Sequence, residues 1–181
     1  DGDVDRVFSN GANKVIESFY TCQFVAHANM EPQNCTAWYH DDKVELWAPT
    51  QTPGRGRGIA NVANVLGIDR GRVVVHQTRA GGGFGRRLIN DPMCEAAAVS
   101  KRIGAPVRLQ WSREDDMTHD FYRAGGFHAV KGAVDQAGRL IAFQDHLITM
   151  THDDKEPVSG GNMSEDEPPA GLIENVELRQ T

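Results

Sequence analysis

Residues 72–106 constrain the fold of this chain more tightly than any other stretch. A β-rich run centred on Val73-Val74-Val75 leads directly into Gly81-Gly82-Gly83-Phe84-Gly85-Arg86-Arg87. The next segment is punctuated as a helix. Asn90 or Asp91 can cap it, Pro92 suits its first position, its body is rich in alanine as far as Ile103, and Gly104 and Pro106 stop it. Strand, glycine loop and helix in that order place a turn of unusual backbone freedom at the end of a strand. Four glycines in five positions let the main chain approach a ligand closely and aim several N–H groups at one centre, which suits an oxyanion, a phosphate or a metal-bound oxygen. The loop is not a Walker loop, because the Gly-Lys-Ser/Thr ending is missing, and it lacks the Gly-x-Gly-x-x-Gly spacing of a dinucleotide fingerprint. A plain flexible turn is the alternative.

The rest of the pattern predicts an α+β fold, a mixed sheet with hairpins and two main helices. Residues 14–24 mix β-branched and aromatic side chains and read as a strand, whereas 27–36 are polar and interrupted by Pro32. Residues 36–48 read as a hairpin about Asp41-Asp42. Ile59, Val62, Ala63 and Leu66 recur at helical spacing before Gly67, which supplies a left-handed stop. Further strands are expected over 106–111, 127–134 and 140–150, the last two turned by 135–138. Residues 151–169 are rich in Asp, Glu, Gly, Ser and Pro and read as a flexible loop; 172–178 are expected to order only against neighbouring protein. Residues 1–150 therefore read as the domain, and 151–181 as an acidic loop and a segment leading into a missing remainder.

Charge narrows the ligand. The net charge is −6, yet between Gln51 and Leu88 stand Arg55, Arg57, Arg70, Arg72, Arg79, Arg86 and Arg87 against the single acid Asp69. An anionic partner fits that imbalance, with a solvated basic face as the bland alternative. Nucleic acid fits poorly, because the chain is acidic overall and its arginines alternate with glycines rather than aromatics. The three cysteines, Cys22, Cys35 and Cys94, have no metal-ligand spacing and read as structural thiols. His27 and Glu31 stand four apart, but this is not His-Glu-x-x-His, and no side-chain metal site is expected. No run of eighteen apolar residues exists, so membrane insertion is not expected, and the compartment, cytoplasm or periplasm, stays open.

Four blocks in order resemble one family, the molybdenum hydroxylases, in the large molybdopterin-binding subunit of the isoquinoline 1-oxidoreductase branch. His27-Ala-Asn-Met-Glu-Pro-Gln-Asn-Cys-Thr-Ala37 is similar to the stretch before the cofactor region, and Trp47-Ala-Pro-Thr-Gln-Thr-Pro53 to the segment that carries a glutamine near the metal oxo group. Gly-Gly-Gly-Phe-Gly with Arg86-Arg87 resembles the molybdenum-site loop. Trp111-Ser-Arg-Glu-Asp-Asp-Met117 through Arg123 resembles the next block. The resemblance implies a partial molybdopterin-binding domain, with molybdopterin cytosine dinucleotide as cofactor and the metal held by the pterin rather than by side chains. It implies a small ferredoxin-like partner subunit carrying 2Fe-2S clusters, in addition to the remainder of the large subunit.

The same resemblance implies residue roles. Gln51, Gly82, Gly83, Phe84, Gly85, Arg86 and Arg87 would bind the cofactor, the two arginines at its phosphates. Gln51, Phe84 and Arg123 would serve catalysis, Phe84 by shaping the substrate channel and Arg123 by touching substrate. His27 and Glu31 are expected only to brace their loop. One departure stands out: the family's catalytic base is a glutamate in a Gly-x-Gly-Glu segment, and none occurs here. The fragment by itself is therefore expected to be inactive and without bound ligand. Hydroxylation of an N-heteroaromatic substrate with water-derived oxygen is the implied reaction, aldehyde oxidation the alternative. A non-catalytic anion- or nucleotide-binding module is the alternative of another class.

Overall fold

The structure, a computed structural model, describes residues 2–11, 13–54, 57–151, 153–158, 160–166 and 169–181; Arg55 lies outside them. In chain order the elements are α1 (Val4–Ser9), β1 (Lys14–Cys22), β2 (Asn34–His40), β3 (Lys43–Ala48), α2 (Arg57–Leu66), β4 (Val73–Gln77), α3 (Asp91–Ile103), β5 (Val107–Gln110), α4 (Arg113–Thr118), β6 (Gly126–Val134), β7 (Leu140–Thr149) and β8 (Asn175–Gln180). The α+β class read from the sequence is the one that forms. The chain divides into two units, Ala26–Phe121 and Asp1–Val25 with Tyr122–Thr181.

In the unit Ala26–Phe121 the sheet order is β4-β3-β2-β5. The β2–β3 hairpin turns on Asp41 and Asp42, both left-handed (φ 48° and 55°), a geometry that short carboxylate side chains tolerate. β3 crosses through α2 to a parallel β4, and β5 pairs antiparallel with β2. Alternation sends Cys35, Ala37, Val44, Leu46 and Ala48 to one face, where they bury against Val62, Ala63 and Leu66 of α2 and Met93, Ala96 and Ala97 of α3. Fully burying a side chain such as Leu46 stabilises by roughly 1.5–3 kcal/mol. The alanines Ala96 and Ala97 let α3 lie close on the sheet.

Both ends of α3 carry information about the site. Asn90 occupies the cap position but makes no side-chain cap bond. Its Nδ2 donates to Thr52 Oγ1 (3.1 Å) and Leu88 O (3.2 Å), and its Oδ1 accepts from Thr50 Oγ1 (2.8 Å). The expected cap is instead a tie between the helix start and the chain after β3. At the other end Gly104 is left-handed (φ 67°) and donates to Ser100 O at 2.9 Å, as its sequence position foretold.

In the other unit the order is β1-β6-β7-β8. β1 and β6 are antiparallel from Lys14↔Val134 to Cys22↔Gly126. α1 packs Val4, Val7 and Phe8 against Val15, Ala133, Ile141 and Ala142. The segment expected to order only against neighbouring protein instead supplies β8, which pairs parallel with β7 from Ala142↔Asn175 to Leu147↔Gln180. β7 offers an unpaired row of main-chain groups on that side, and the short run Asn-Val-Glu-Leu-Arg-Gln satisfies it. Among the described residues no helix is long and apolar enough to cross a membrane. Cys35 is buried and Cys94 partly so, burial pushing their thiols up to about 12 and about 11, but Cys22 is exposed and departs from the structural reading.

Candidate functional site

The glycine turn lies in the unit Ala26–Phe121, between β4 and α3, and its conformation needs its glycines. Gly82 and Gly85 have φ of 98° and 102°, and Phe84 between them is held left-handed at 51°. A side chain at 83 has no room: a β-carbon there would stand 2.5 Å from Gln51 Oε1. The carbonyls of the turn face protein donors. Gly81 O accepts from Glu31 N (3.2 Å), Gly82 O from Arg87 Nε (2.8 Å), Gly83 O from Arg86 N (2.8 Å) and Gly85 O from Leu88 N (3.1 Å). With the carbonyls tied, the N–H groups of Gly82 and Gly83 have no partner among the described residues. That polarity, carbonyls satisfied and amides available, is what an anion or a metal-bound oxygen requires.

Gln51 sits against this turn. Its Oε1 accepts from Gly85 N and Arg87 N, each at 3.2 Å, and its own N–H donates to Arg87 O at 3.0 Å. Two main-chain donors facing one end of the amide fix that end as the oxygen. The exposed Nε2 therefore points elsewhere and has no partner among the described residues. Phe84 is 65% exposed, so packing in a core is not its role.

Arg86 and Arg87 are 1% and 3% exposed, so the solvated basic face that charge alone allowed does not include them. Arg86 donates to both oxygens of Asp91 (2.9 and 2.8 Å), its Nε lies 3.0 Å from Asp120 Oδ1, and its guanidinium lies over the rings of Trp111 and Phe121 at 5.4 and 5.2 Å. Burial pulls its pKa down, but the Asp91 hydrogen bonds and the charges of Asp91, Asp120 and Asp116 outweigh it and hold the cation above its ordinary value. At Arg87 burial prevails over Glu31 and Asp116, and the pKa falls. Its side chain donates to Gly82 O, to Glu31 O (2.8 Å) and to Glu31 Oε2 (3.1 Å). Glu31 also accepts from Gly81 N at 2.7 Å, so one carboxylate holds the start of the turn and the arginine beneath it.

The turn is braced by residues to which sequence reasoning gave no role there. Asp120, 2% exposed in its side chain, joins Arg86 to His27 Nδ1 (3.0 Å), and Asp91 anchors Arg86 from the first turn of α3. The quoted block around His119-Asp120 contained the signal, a lone acid among aromatics that the buried arginine needs. Arg123 belongs to the other unit, where its N–H donates to Val25 O at 2.9 Å and it lines a cavity of about 470 Å³ with Cys22, Val25, His128, Leu147 and Thr149. Among the described residues no His, Cys, Asp and Glu group could hold a metal. Arg57, Arg70, Arg72 and Arg79 are exposed. Their cluster in sequence is thus split between solvent and the buried pair under the turn.

A family model described as the molybdopterin cofactor-binding domain matches residues 1–152. The isoquinoline 1-oxidoreductase subunit beta of Brevundimonas diminuta is 35% identical over 80% of this chain, and the membrane-bound aldehyde dehydrogenase [pyrroloquinoline-quinone] of Gluconacetobacter polyoxogenes is 36% identical over 78%. The chain spans 18% of the length of each. Among solved structures, quinoline 2-oxidoreductase from Pseudomonas putida 86 matches with a TM-score of 0.64 at 25% identity, covering 82% of this chain and 19% of its own. The aldehyde oxidoreductase of Desulfovibrio gigas matches at 0.66 and 21% identity, over 81% of this chain and 16% of its own, a likeness of fold. A glycine turn with its carbonyls tied down, a glutamine seated against it and a family model over 152 residues lead to one assignment: this chain belongs to the molybdopterin cofactor-binding domain family of the molybdenum hydroxylases.

Proposed function

We propose that the chain contributes the glycine-turn side of the cofactor site in a molybdenum hydroxylase large subunit, and that the cofactor is molybdopterin cytosine dinucleotide. The observation that carries this reading is the tied-carbonyl turn with unpartnered N–H groups at Gly82 and Gly83 beside the Gln51 amide. When bound, the molybdenum centre supplies the two-electron chemistry that inserts a water-derived oxygen. This chain's part is to bind and orient. Gln51 Nε2 and the Gly82 and Gly83 amides would hold the bound group by donating hydrogen bonds to it, and exposed Phe84 would bound the substrate side. Arg86, whose two terminal nitrogens bond Asp91, serves the cofactor from beneath by setting the shape of the turn, and Arg87, tied through Nε and Nη2 to Gly82 O and Glu31, does so from the other side with Nη1 left to meet a cofactor phosphate. Arg123 contacts substrate, and a cavity of about 470 Å³ falls within the size range of small-molecule sites.

The complete enzyme, in this reading, hydroxylates an N-heteroaromatic compound and passes electrons to a small 2Fe-2S ferredoxin-like subunit. Aldehyde oxidation is the second reading, favoured by the equal likeness to an aldehyde dehydrogenase. The deciding experiment expresses the complete subunit with its iron–sulfur partner and assays molybdenum, released cytosine nucleotide and turnover of isoquinoline against acetaldehyde. Bound molybdenum with isoquinoline hydroxylation is the expected result. A subunit that binds nucleotide or phosphate but no molybdenum would be a non-catalytic module and overturns the reading.

A further inference from the structure

The bracing role of His27 uses only one of its ring nitrogens. Its side chain is 9% exposed, and Nδ1 lies 3.0 and 3.1 Å from the two oxygens of Asp120. Asp120 also accepts from the main-chain N–H of His27 and lies in an ion pair 3.0 Å from the Nε of Arg86, so charge and a second hydrogen bond hold the carboxylate beside the ring. In the neutral ring that contact puts the proton on Nδ1 and leaves Nε2 as a lone-pair acceptor of fixed direction. Nε2 has no partner among the described residues, and it is an accessible edge of a side chain that is otherwise 9% exposed.

Its direction is set by the turn. A β-carbon on Gly85 would stand 3.6 Å from His27 Nε2, in ordinary contact, so any side chain at 85 would cover that nitrogen. The next residue, Ala28, is held left-handed at φ 45°, strain of a kind that concentrates where a group must be aimed.

We propose that His27 contacts the ligand of the glycine turn directly, its Nε2 accepting a hydrogen bond from an N–H of the bound heterocycle. This rests on the reading of the turn as a pterin site. The chemistry selects which part of such a ligand is met: a pterin ring carries amide and amine N–H donors that complement a lone pair, whereas phosphate oxygens are acceptors and do not.

The test compares the complete subunit, co-expressed with its iron–sulfur partner, as wild type, His27→Asn and His27→Gln. Asparagine can keep the donor to Asp120 while removing the Nε2 position; glutamine can place an amide oxygen near Nε2 while giving up Asp120. Pterin and molybdenum are measured per subunit, and thermal melting reports the fold. His27→Asn is expected to melt like wild type and to lose about tenfold in retained pterin, with His27→Gln restoring part of it. Wild-type pterin content in His27→Asn, or His27→Gln falling as low as His27→Asn, overturns the proposal, since bracing through Asp120 would then be the whole role. Should His27→Asn fail to fold, His27→Gln decides: near wild-type pterin supports the contact and loss overturns it. A wild-type subunit free of pterin overturns the functional reading and this proposal with it, whereas loaded wild type with equally loaded His27→Asn overturns the proposal alone.

Discussion

Two glycines of the same unit show how far the cost of one added carbon depends on what surrounds it. At Gly104 nothing lies within 4 Å of the new atom, so Gly104→Ala meets only the left-handed strain of φ 67° and is expected to destabilise by about 1 kcal/mol in urea unfolding. At Gly83 the carbon would sit 2.5 Å from Gln51 Oε1 and must expel the glutamine from its two main-chain donors. Gly83→Ala is therefore expected to destabilise by about 1–3 kcal/mol in urea unfolding, for the two donors left without Gln51, and also to lower the molybdenum content of the complete enzyme because the glutamine no longer lies against the turn. Arg86 is the opposite case. Arg86→Met leaves Asp120 buried without its cation, and breaking such a pair typically costs about 3–5 kcal/mol, readable as a lower urea midpoint. Thiol chemistry offers a simpler check. With Cys35 and Cys94 pushed up by burial, a thiol reagent at neutral pH should modify Cys22 at once and the other two only after unfolding.

Among the elements, those with a long periodic body were legible. The hairpin, α2, α3 and the β6–β7 pair stand within a few residues of where alternation and turn residues place them. Short elements escaped, for a physical reason: α4 has six residues, too few for a period, and its identity lies in its cap. Ser112 Oγ accepts from Asp115 N, while Asp115 accepts from Ser112 N–H and Oγ–H. The backbone donor first, then the hydroxyl, hold the Asp115 carboxyl below the usual range. A carboxylate with a depressed folded pKa stabilises above its unfolded pKa, and that contribution fades as pH falls through the lowered one. Ser112→Ala should therefore raise the Asp115 titration midpoint toward the ordinary aspartate value, as followed by NMR. β8 escaped because its support is non-local, chiefly the edge of β7 and the start of α1. The arginines were singled out, but their burial was not legible, because it depends on Asp91 and Asp120 meeting Arg86 and on Glu31 meeting Arg87.

For the whole molecule, the proposed function gives the chain a binding turn, while its sequence holds no Gly-x-Gly-Glu segment of the kind the family resemblance implies for the base. On the proposed function, the 181 residues purified alone are expected to show no hydroxylation of isoquinoline by product analysis. The glycine turn was readable as a motif; the residues that brace it were not, because His27, Glu31 and Asp120 reach it from distant parts of the sequence. The connectivity has a further effect on assembly. β1 precedes the whole of Ala26–Phe121, yet its hydrogen-bonding neighbour β6 follows that stretch. On a ribosome the first strand must emerge and wait, its amides and its exposed Phe19 and Tyr20 unprotected, until an entire second body has been made. Synthesis that stalls just past Phe121 would release a sound glycine-turn unit trailing a sticky, partnerless ribbon, so aggregation of nascent chains should begin there.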